Sequence, residues 1–363
     1  MKKNAERIAL ELLTLPTAPF NESAVVGWIE RFVAARLELK LRRDRFGNFL
    51  VRRPGRRSAR PLLFVAHMDH PGMTALEMLP GSLLRARWDG NVPGRLFVNG
   101  TRARFFSDGK WVRGEIVATS EIIDGRAPAQ VTFKMRGPVA PGAVGMWDFP
   151  DPVVSGNRLT ARGCDDVAGV AGLLAFLDES LRSGAGREFQ VLFTRAEEAG
   201  FVGAIGACEG KFLPRNAVAI SIETSKALAN ARQGDGPIVR VGDRMTAFTP
   251  AVTDFLSATA AGLAKQDPGF KFQRRLMDGG TCEATVFTAY GYEAGGLCLP
   301  LGNYHNIASK GNRLGAEFID LRDYHALIRL YGAIVERFGE YGEGSGKFKA
   351  WCRSQLARRK RDI

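Results

Sequence analysis

Residues 61–67 read PLLFVAH, an apolar run that stops at His67. The pattern recurs three times. FQVLFT (189–194) runs into Arg195-Ala196-Glu197-Glu198, AVAISI (217–222) into Glu223, and GGLCLPL (295–301) into the loop holding His305. Continuous apolar runs of this length suit strands buried on both faces of a sheet. In open α/β sheets, functional groups gather just beyond the carboxyl ends of the strands. The runs therefore predict an α/β core, a mixed central sheet flanked by helices, with His67, Glu197, Glu198, Glu223 and His305 along one edge. Asp165 arrives by another route, since Asp165-Asp166 precedes the helical stretch VAGVAGLLAFLDESL (167–181). Asp165 is read as reaching the same edge and Asp166 as capping the helix.

Outward from these runs, residues 5–13 and 22–38 have helical periodicity, with Asn21 as the expected N-cap. DRFGNFLVRR (44–53) reads as two extended segments around a turn at Gly47-Asn48. The stretch from about 75 to 155 is different. It is rich in Gly and Pro, has short alternating runs such as KWVRGEIVAT, and shows no good helix, so it reads as a small all-β domain. The expected organisation is a discontinuous catalytic α/β domain (1–75 and 156–345), an inserted β domain (76–155) and a basic tail (346–363), helical or disordered.

The composition is that of a globular protein, 45% hydrophobic and 25% charged. A net charge of +13 raises the question of nucleic-acid binding. The basic residues are dispersed, however, apart from Arg52, Arg53, Arg56 and Arg57, read as a hairpin or loop, and Arg358, Arg359, Lys360 and Arg361 in the tail. A solvated basic surface is the simpler account. No window approaches the ~20 apolar residues of a membrane span. Five cysteines without paired spacing, and no secretory leader, predict buried reduced thiols and a cytoplasmic location.

The chemistry lies in the joint pattern. Imidazole and carboxylate groups suit zinc, and two-metal sites share ligands between ions roughly 3.5–4 Å apart. His67 is followed two positions later by Asp69, and a carboxylate beside a ligating imidazole fixes its tautomer. Adjacent Glu197 and Glu198 allow one to bind metal while the other accepts a proton from water. Glu223 at a strand end is costly to bury without a cation, whether a metal, Arg or Lys. His70 is read as lining the pocket, and His325 as lying on a surface helix without a role.

Together DRFGNFLV, HMDHPGM, CDDVAG, RAEEAGFVGA, SIET, MDGGTCEA and NYHN resemble the TET family, the glutamyl- and leucyl-aminopeptidase-like metallopeptidases that build tetrahedral dodecamers. The resemblance covers about residues 5–340. It implies a zinc-exopeptidase (phosphorylase/hydrolase-like) fold and release of N-terminal residues from peptides through a metal-bridged hydroxide. It implies two divalent ions, zinc first, with cobalt or manganese as competitors. It also implies a homo-oligomer, a dimer or larger and up to a dodecamer. By the same resemblance, His67, Asp165 and Glu223 hold one ion, while Asp165, Glu198 and His305 hold the other. Glu197 is then the general base and acid, and Asp69 the partner of His67. The chain departs from the family pattern at His70, Glu223, Val167 and Cys282, changes that leave the metal chemistry intact and bear on peptide-terminus recognition, side-chain preference and assembly. Two rival readings have different chemistry. One is a related carboxypeptidase or deacylase; the other is a catalytically silent basic protein of nucleic acid or assembly on the same scaffold.

Overall fold

The structure is a computed structural model that describes residues 2–184, 186–308 and 313–360. Helix α1 (Lys2–Thr14) and helix α2 (Ser23–Ala34) open the chain. Strands β1 (Lys40–Arg43), β2 (Phe49–Arg53) and β3 (Leu62–His67) follow. Six strands then form a closed barrel: β4 (Gly72–Leu79), β5 (Leu83–Asp89), β6 (Arg102–Ser107), β7 (Lys110–Thr119), β8 (Gln130–Met135) and β9 (Val144–Trp147). After β10 (Val153–Ser155) and β11 (Arg158–Ala161), the chain enters α3 (Val167–Arg182), β12 (Phe189–Thr194), α4 (Val202–Glu209), β13 (Val218–Lys226) and β14 (Ile238–Asp243). It finishes with α5 (Pro250–Gln266), β15 (Gln273–Met277), α6 (Glu283–Ala289), β16 (Glu293–Leu301), β17 (Glu317–Asp320), α7 (Leu321–Arg337) and α8 (Glu343–Arg359).

The central sheet has the order β1-β2-β12-β3-β13-β16-β14-β15. Its four middle strands, β12, β3, β13 and β16, are the four apolar runs of the sequence, and they run parallel. Strands β2 and β14 flank them antiparallel, which makes the sheet mixed. Every residue of β3 is buried, as strands covered on both faces require. Beneath the sheet Phe64 meets Phe176, Phe189 and Tyr331 at ring separations of 5.4–6.2 Å. Helix α3 comes close because its first turns are Val, Ala and Gly. Gly169 leaves room for the buried Asp166 carboxylate, from which a Cβ there would stand 2.3 Å.

The barrel has its own core, in which Trp88, Phe97 and Trp147 pack ring on ring. A separate three-stranded sheet, β10-β11-β17, pairs Ala161 with Glu317.

Several local expectations are corrected. Glu22, not Asn21, stands at the N-cap of α2. Asp166 occupies the N-cap position of α3 but its carboxylate makes no capping bond, and both its oxygens lack a hydrogen-bond partner. His325 is buried on α7 with Glu6 3.1 Å from its Nε2. Arg52 and Arg53 lie on β2, the second strand of the antiparallel β1–β2 hairpin, which is the hairpin alternative of the sequence reading. The tail through Arg359 is helical, while Arg361 lies outside the described residues. Four of the five cysteines are buried and all five are free. No described helix is long and apolar enough to cross a membrane.

Candidate metal centre

The parallel strands bring their carboxyl ends to one edge, and the register is direct: Thr194 stands beside His67. His67 is buried at the end of β3. Its Nε2 faces Asp165 Oδ1 at 3.6 Å, Glu223 Oε2 at 3.8 Å and Glu197 Oε2 at 3.9 Å. His305 Nε2 lies 3.2 Å from Glu198 Oε1 and 3.8 Å from Asp165 Oδ2. Six of the seven residues named for the site in the sequence therefore converge, with Asp165 facing both imidazoles, and the seventh, Asp69, stands beside His67. Grouped by mutual distance, the ligand atoms form two sets, His67/Glu197/Glu223 and Asp165/Glu198/His305, each within 4.8 Å. Glu223 sits inside β13, which continues to Lys226, rather than at its end.

Apart from the 3.2 Å between His305 and Glu198, these separations are longer than an ordinary hydrogen bond. Two ligands at about 2.1 Å from a shared tetrahedral ion stand roughly 3.4 Å apart, which is close to what is seen. Glu198 Oε1 and Glu223 Oε1 are buried without a hydrogen-bond partner. The electrostatics agree. Burial pushes the Glu197 carboxyl well up, and neighbouring Glu223, Glu198 and Glu283 push it further, against the pull of His67. Burial also pushes Glu283 up to about 8. Burial alone would lower His67, yet Glu197 and the nearby carboxylates of Asp165, Asp69 and Glu223 carry it well above its usual range. A buried set of carboxylates and imidazoles with these unmet demands fits divalent cations.

The surrounding residues hold this geometry through backbone groups. Asp69 Oδ1 accepts from Glu197 N and Oδ2 from Glu198 N, both at 3.0 Å, so one carboxylate fixes the whole acidic pair. It also stands 3.6 Å from His67 Nδ1, while the same nitrogen meets its main-chain oxygen at 3.1 Å. Glu22 accepts from Ala196 N and pairs with Arg195, securing the same turn. Thr224 Oγ1 donates to Asp165 Oδ1 at 3.0 Å.

His70 does not line the pocket. It is fully buried behind Asp165, with Nδ1 2.7 Å from Asp165 O and Nε2 3.2 Å from Asn306 Oδ1. Burial and nearby Arg162 hold its pKa down to about 3, so it is neutral. Sequence reading missed Glu22, Thr224, Asn306 and Glu317. Glu317 is fully buried and accepts backbone N–H groups from both Asp165 and His305.

The cluster opens into a cavity of about 550 Å³. Its lining includes Lys226, Arg240, Arg244 and Thr281, and the barrel contributes Asn91, Val92, Pro93, Arg95 and Arg126. Acidic groups and cations thus share the lining, and Arg240 pulls the Glu223 carboxyl down against its burial.

Comparison with solved structures shows the same fold. An aminopeptidase from the archaeon Desulfurococcus kamchatkensis superposes with a TM-score of 0.76 at 21% identity, covering 93% of this chain and 95% of that one. The TET1 peptidase of Pyrococcus horikoshii gives 0.73 at 19% identity, over 91% and 99% of the two chains. A TET aminopeptidase from Thaumarchaeota archaeon SCGC AB-539-E09 gives 0.74 at 17%, over 92% and 97%. No curated protein matches the sequence significantly. The family model of the M42 glutamyl aminopeptidases matches residues 122–330, more than half of the chain. On that match, the chain belongs to the M42 glutamyl aminopeptidase family and is a peptidase, a hydrolase of peptide bonds.

Proposed function

We propose that this chain is a two-metal aminopeptidase that prefers peptides with an acidic N-terminal residue. The observation that carries the reading is Asp165 facing both imidazoles, within a buried cluster that holds two groups of possible ligands. His67, Asp165 and Glu223 would hold one divalent ion, and Asp165, Glu198 and His305 the other, with zinc favoured by this donor set. Bound ions supply Lewis acidity, polarising a carbonyl and acidifying water.

The rest falls to the chain's own groups. Glu197, raised by burial yet beside His67, is suited to take a proton on its carboxylate and return it to the leaving amine. Asp69 keeps Glu197 and Glu198 apart in role by pinning both amides. The acidic cluster attracts the free α-amino group of a peptide, which distinguishes this reading from a carboxypeptidase or deacylase.

Lys226, Arg240 and Arg244 in the cavity lining support the side-chain preference, as does the glutamyl name of the family. Arg240 is buried, with its Nε unpartnered and Nη1 donating to Ser225. A panel of Glu-, Leu- and N-acetyl-Glu-peptides tests both points. Faster release of Glu than of Leu, and none from the blocked peptide, is expected; cleavage of the blocked peptide at an equal rate contradicts the reading.

The P. horikoshii TET1 peptidase is described as assembling into a tetrahedron or an octahedral shell. We infer that this chain also forms a homo-oligomer, with the barrel taking part. Exposed Val98, Ile122 and Ile123 on or beside its strands support this. Light scattering checks it, and a clean monomer across the micromolar range contradicts it.

A further inference from the structure

His305 is held unlike the other site residues. It lies in no strand or α-helix but in the turn after β16, with left-handed backbone angles (φ 53°, ψ 36°). Two other residues of the turn, Asn303 and Asn306, are also left-handed, at φ 56° and 60°. Sheet register therefore cannot place its ring. Two outside contacts do so. Glu317 Oε1 accepts from His305 N at 2.8 Å, while Oε2 of the same carboxylate accepts from Asp165 N at 3.1 Å and ties the two ligand segments together. The second contact comes from the barrel: Asn91 O lies 3.0 Å from His305 Nδ1. A carbonyl only accepts, so the ring must carry its proton on Nδ1. That leaves the Nε2 lone pair directed at Glu198 and Asp165.

Both supports are themselves fixed. Glu317 sits on β17, whose neighbour β11 leads into Asp165, and Phe318 bridges to Gly302 just before the His305 turn. It is the point at which the two ligand-bearing segments converge. The loop after β5 is held by Trp88 Nε1, which donates to Gly90 O at 2.9 Å, and by Ala127 N, which donates to Val92 O at 3.0 Å. Gly90 itself needs to be glycine, with φ 130° and a Cβ position 2.7 Å from the Pro71 side chain.

We propose that Glu317 and the barrel loop at Asn91 are positioning elements that together build the His305 half of the metal centre, so that the barrel is part of the site rather than an appendage. The inference rests on the metal reading above, and the test separates the two. Apo protein is titrated with Zn²⁺ alone, in competition with a chelator, for the wild type, Glu317→Gln and Trp88→Phe, with Asp323→Asn as a control. Asp323 also accepts two backbone amides, from Gly234 and Gly236, and is not among the groups of the centre.

The wild type is expected to bind two ions per chain. In Glu317→Gln the amide offers one acceptor where two are needed. The ion at His305 should weaken by ~10–100-fold, the scale of losing an outer hydrogen-bond partner, and the other ion by less. Trp88→Phe, which frees the barrel loop without touching β17, should weaken only the ion at His305. The nitrogen spectrum of the imidazoles gives a second readout. With four histidines in the chain, the His305 tautomer is assignable, and it should be Nδ1–H in the wild type and mixed in Trp88→Phe. If Glu317→Gln does not fold, Trp88→Phe and the tautomer decide the matter. Equal losses at both ions, or none at either, overturn the inference while leaving the metal reading intact. A folded wild type that binds no zinc overturns the metal reading and the inference with it.

Discussion

The two halves of the centre are built by different means. His67 and Glu223 stand on neighbouring parallel strands, and the sheet's hydrogen bonds place them. Asp165 and His305 stand on connections, held by a buried carboxylate and a barrel carbonyl. One half draws its precision from the core of the molecule, the other from a few polar contacts across long sequence separations. The first half should thus fail only when the sheet fails, whereas single polar substitutions should suffice to loosen the second.

The largest expected effect falls on Glu197, which faces His67. Glu197→Gln keeps the size of the side chain and removes its basicity, so turnover should fall by ~10²–10⁴-fold while both ions stay. Steady-state kinetics with metal analysis checks this. Near-normal turnover in a metal-replete variant removes Glu197 from the chemistry.

Next in size is the sheet-borne half. Phe64 is fully buried under β3 against Phe176, Phe189 and Tyr331. Phe64→Ala should cost about 3–5 kcal/mol of folding stability, measured by denaturant unfolding. If the variant keeps its stability but loses the ion at His67, the sheet is not what secures that half.

Asp69→Asn should come third. It loses one of the two amide acceptors that fix Glu197 and Glu198, and it also faces His67. Because those groups belong to both halves, both ions should weaken, by ~10–100-fold. Zinc titration distinguishes this from the one-sided loss expected for Trp88→Phe.

The two halves were also unequally legible in the sequence. PLLFVAH, FQVLFT, AVAISI and GGLCLPL announce buried parallel strands because both faces of such strands must be apolar. Residues at their ends were thereby located, and the adjacent Glu197-Glu198 and His67-x-Asp69 patterns carried the chemistry. The supports of the other half left no local trace. Glu317 acts on partners 152 and 12 positions away. Asn91 acts through its main-chain oxygen, which every residue possesses. Local rules also misdirected. Asn21 is the better capping residue, but Glu22 takes the cap position and spends its carboxylate on Ala196 and Arg195. Asp166 precedes a helix as a cap would, yet its carboxylate is buried against Gly169.

The smallest effect expected at the site is that of Asp323→Asn, remote from both halves. Zinc affinities should change by less than about twofold, within the additivity error of distant sites. The substitution should instead alter stability against pH. Burial pushes the Asp323 carboxyl up to about 6, although the Gly234 and Gly236 amides pull it down. A carboxyl raised in the folded state binds more protons folded than unfolded. Its contribution is therefore full below about pH 4 and is lost as pH rises through about 6. Asp323→Asn should flatten that part of the stability profile, and an unchanged slope contradicts the assignment.

Anomalous diffraction from zinc-loaded crystals tests the central claim most directly, because it locates each ion without reference to activity. The account predicts two peaks in the cavity, one among His67, Glu223 and Asp165 and one among Glu198, His305 and Asp165. A single peak, or peaks only at surface residues away from these side chains, would contradict a two-ion centre built in two halves.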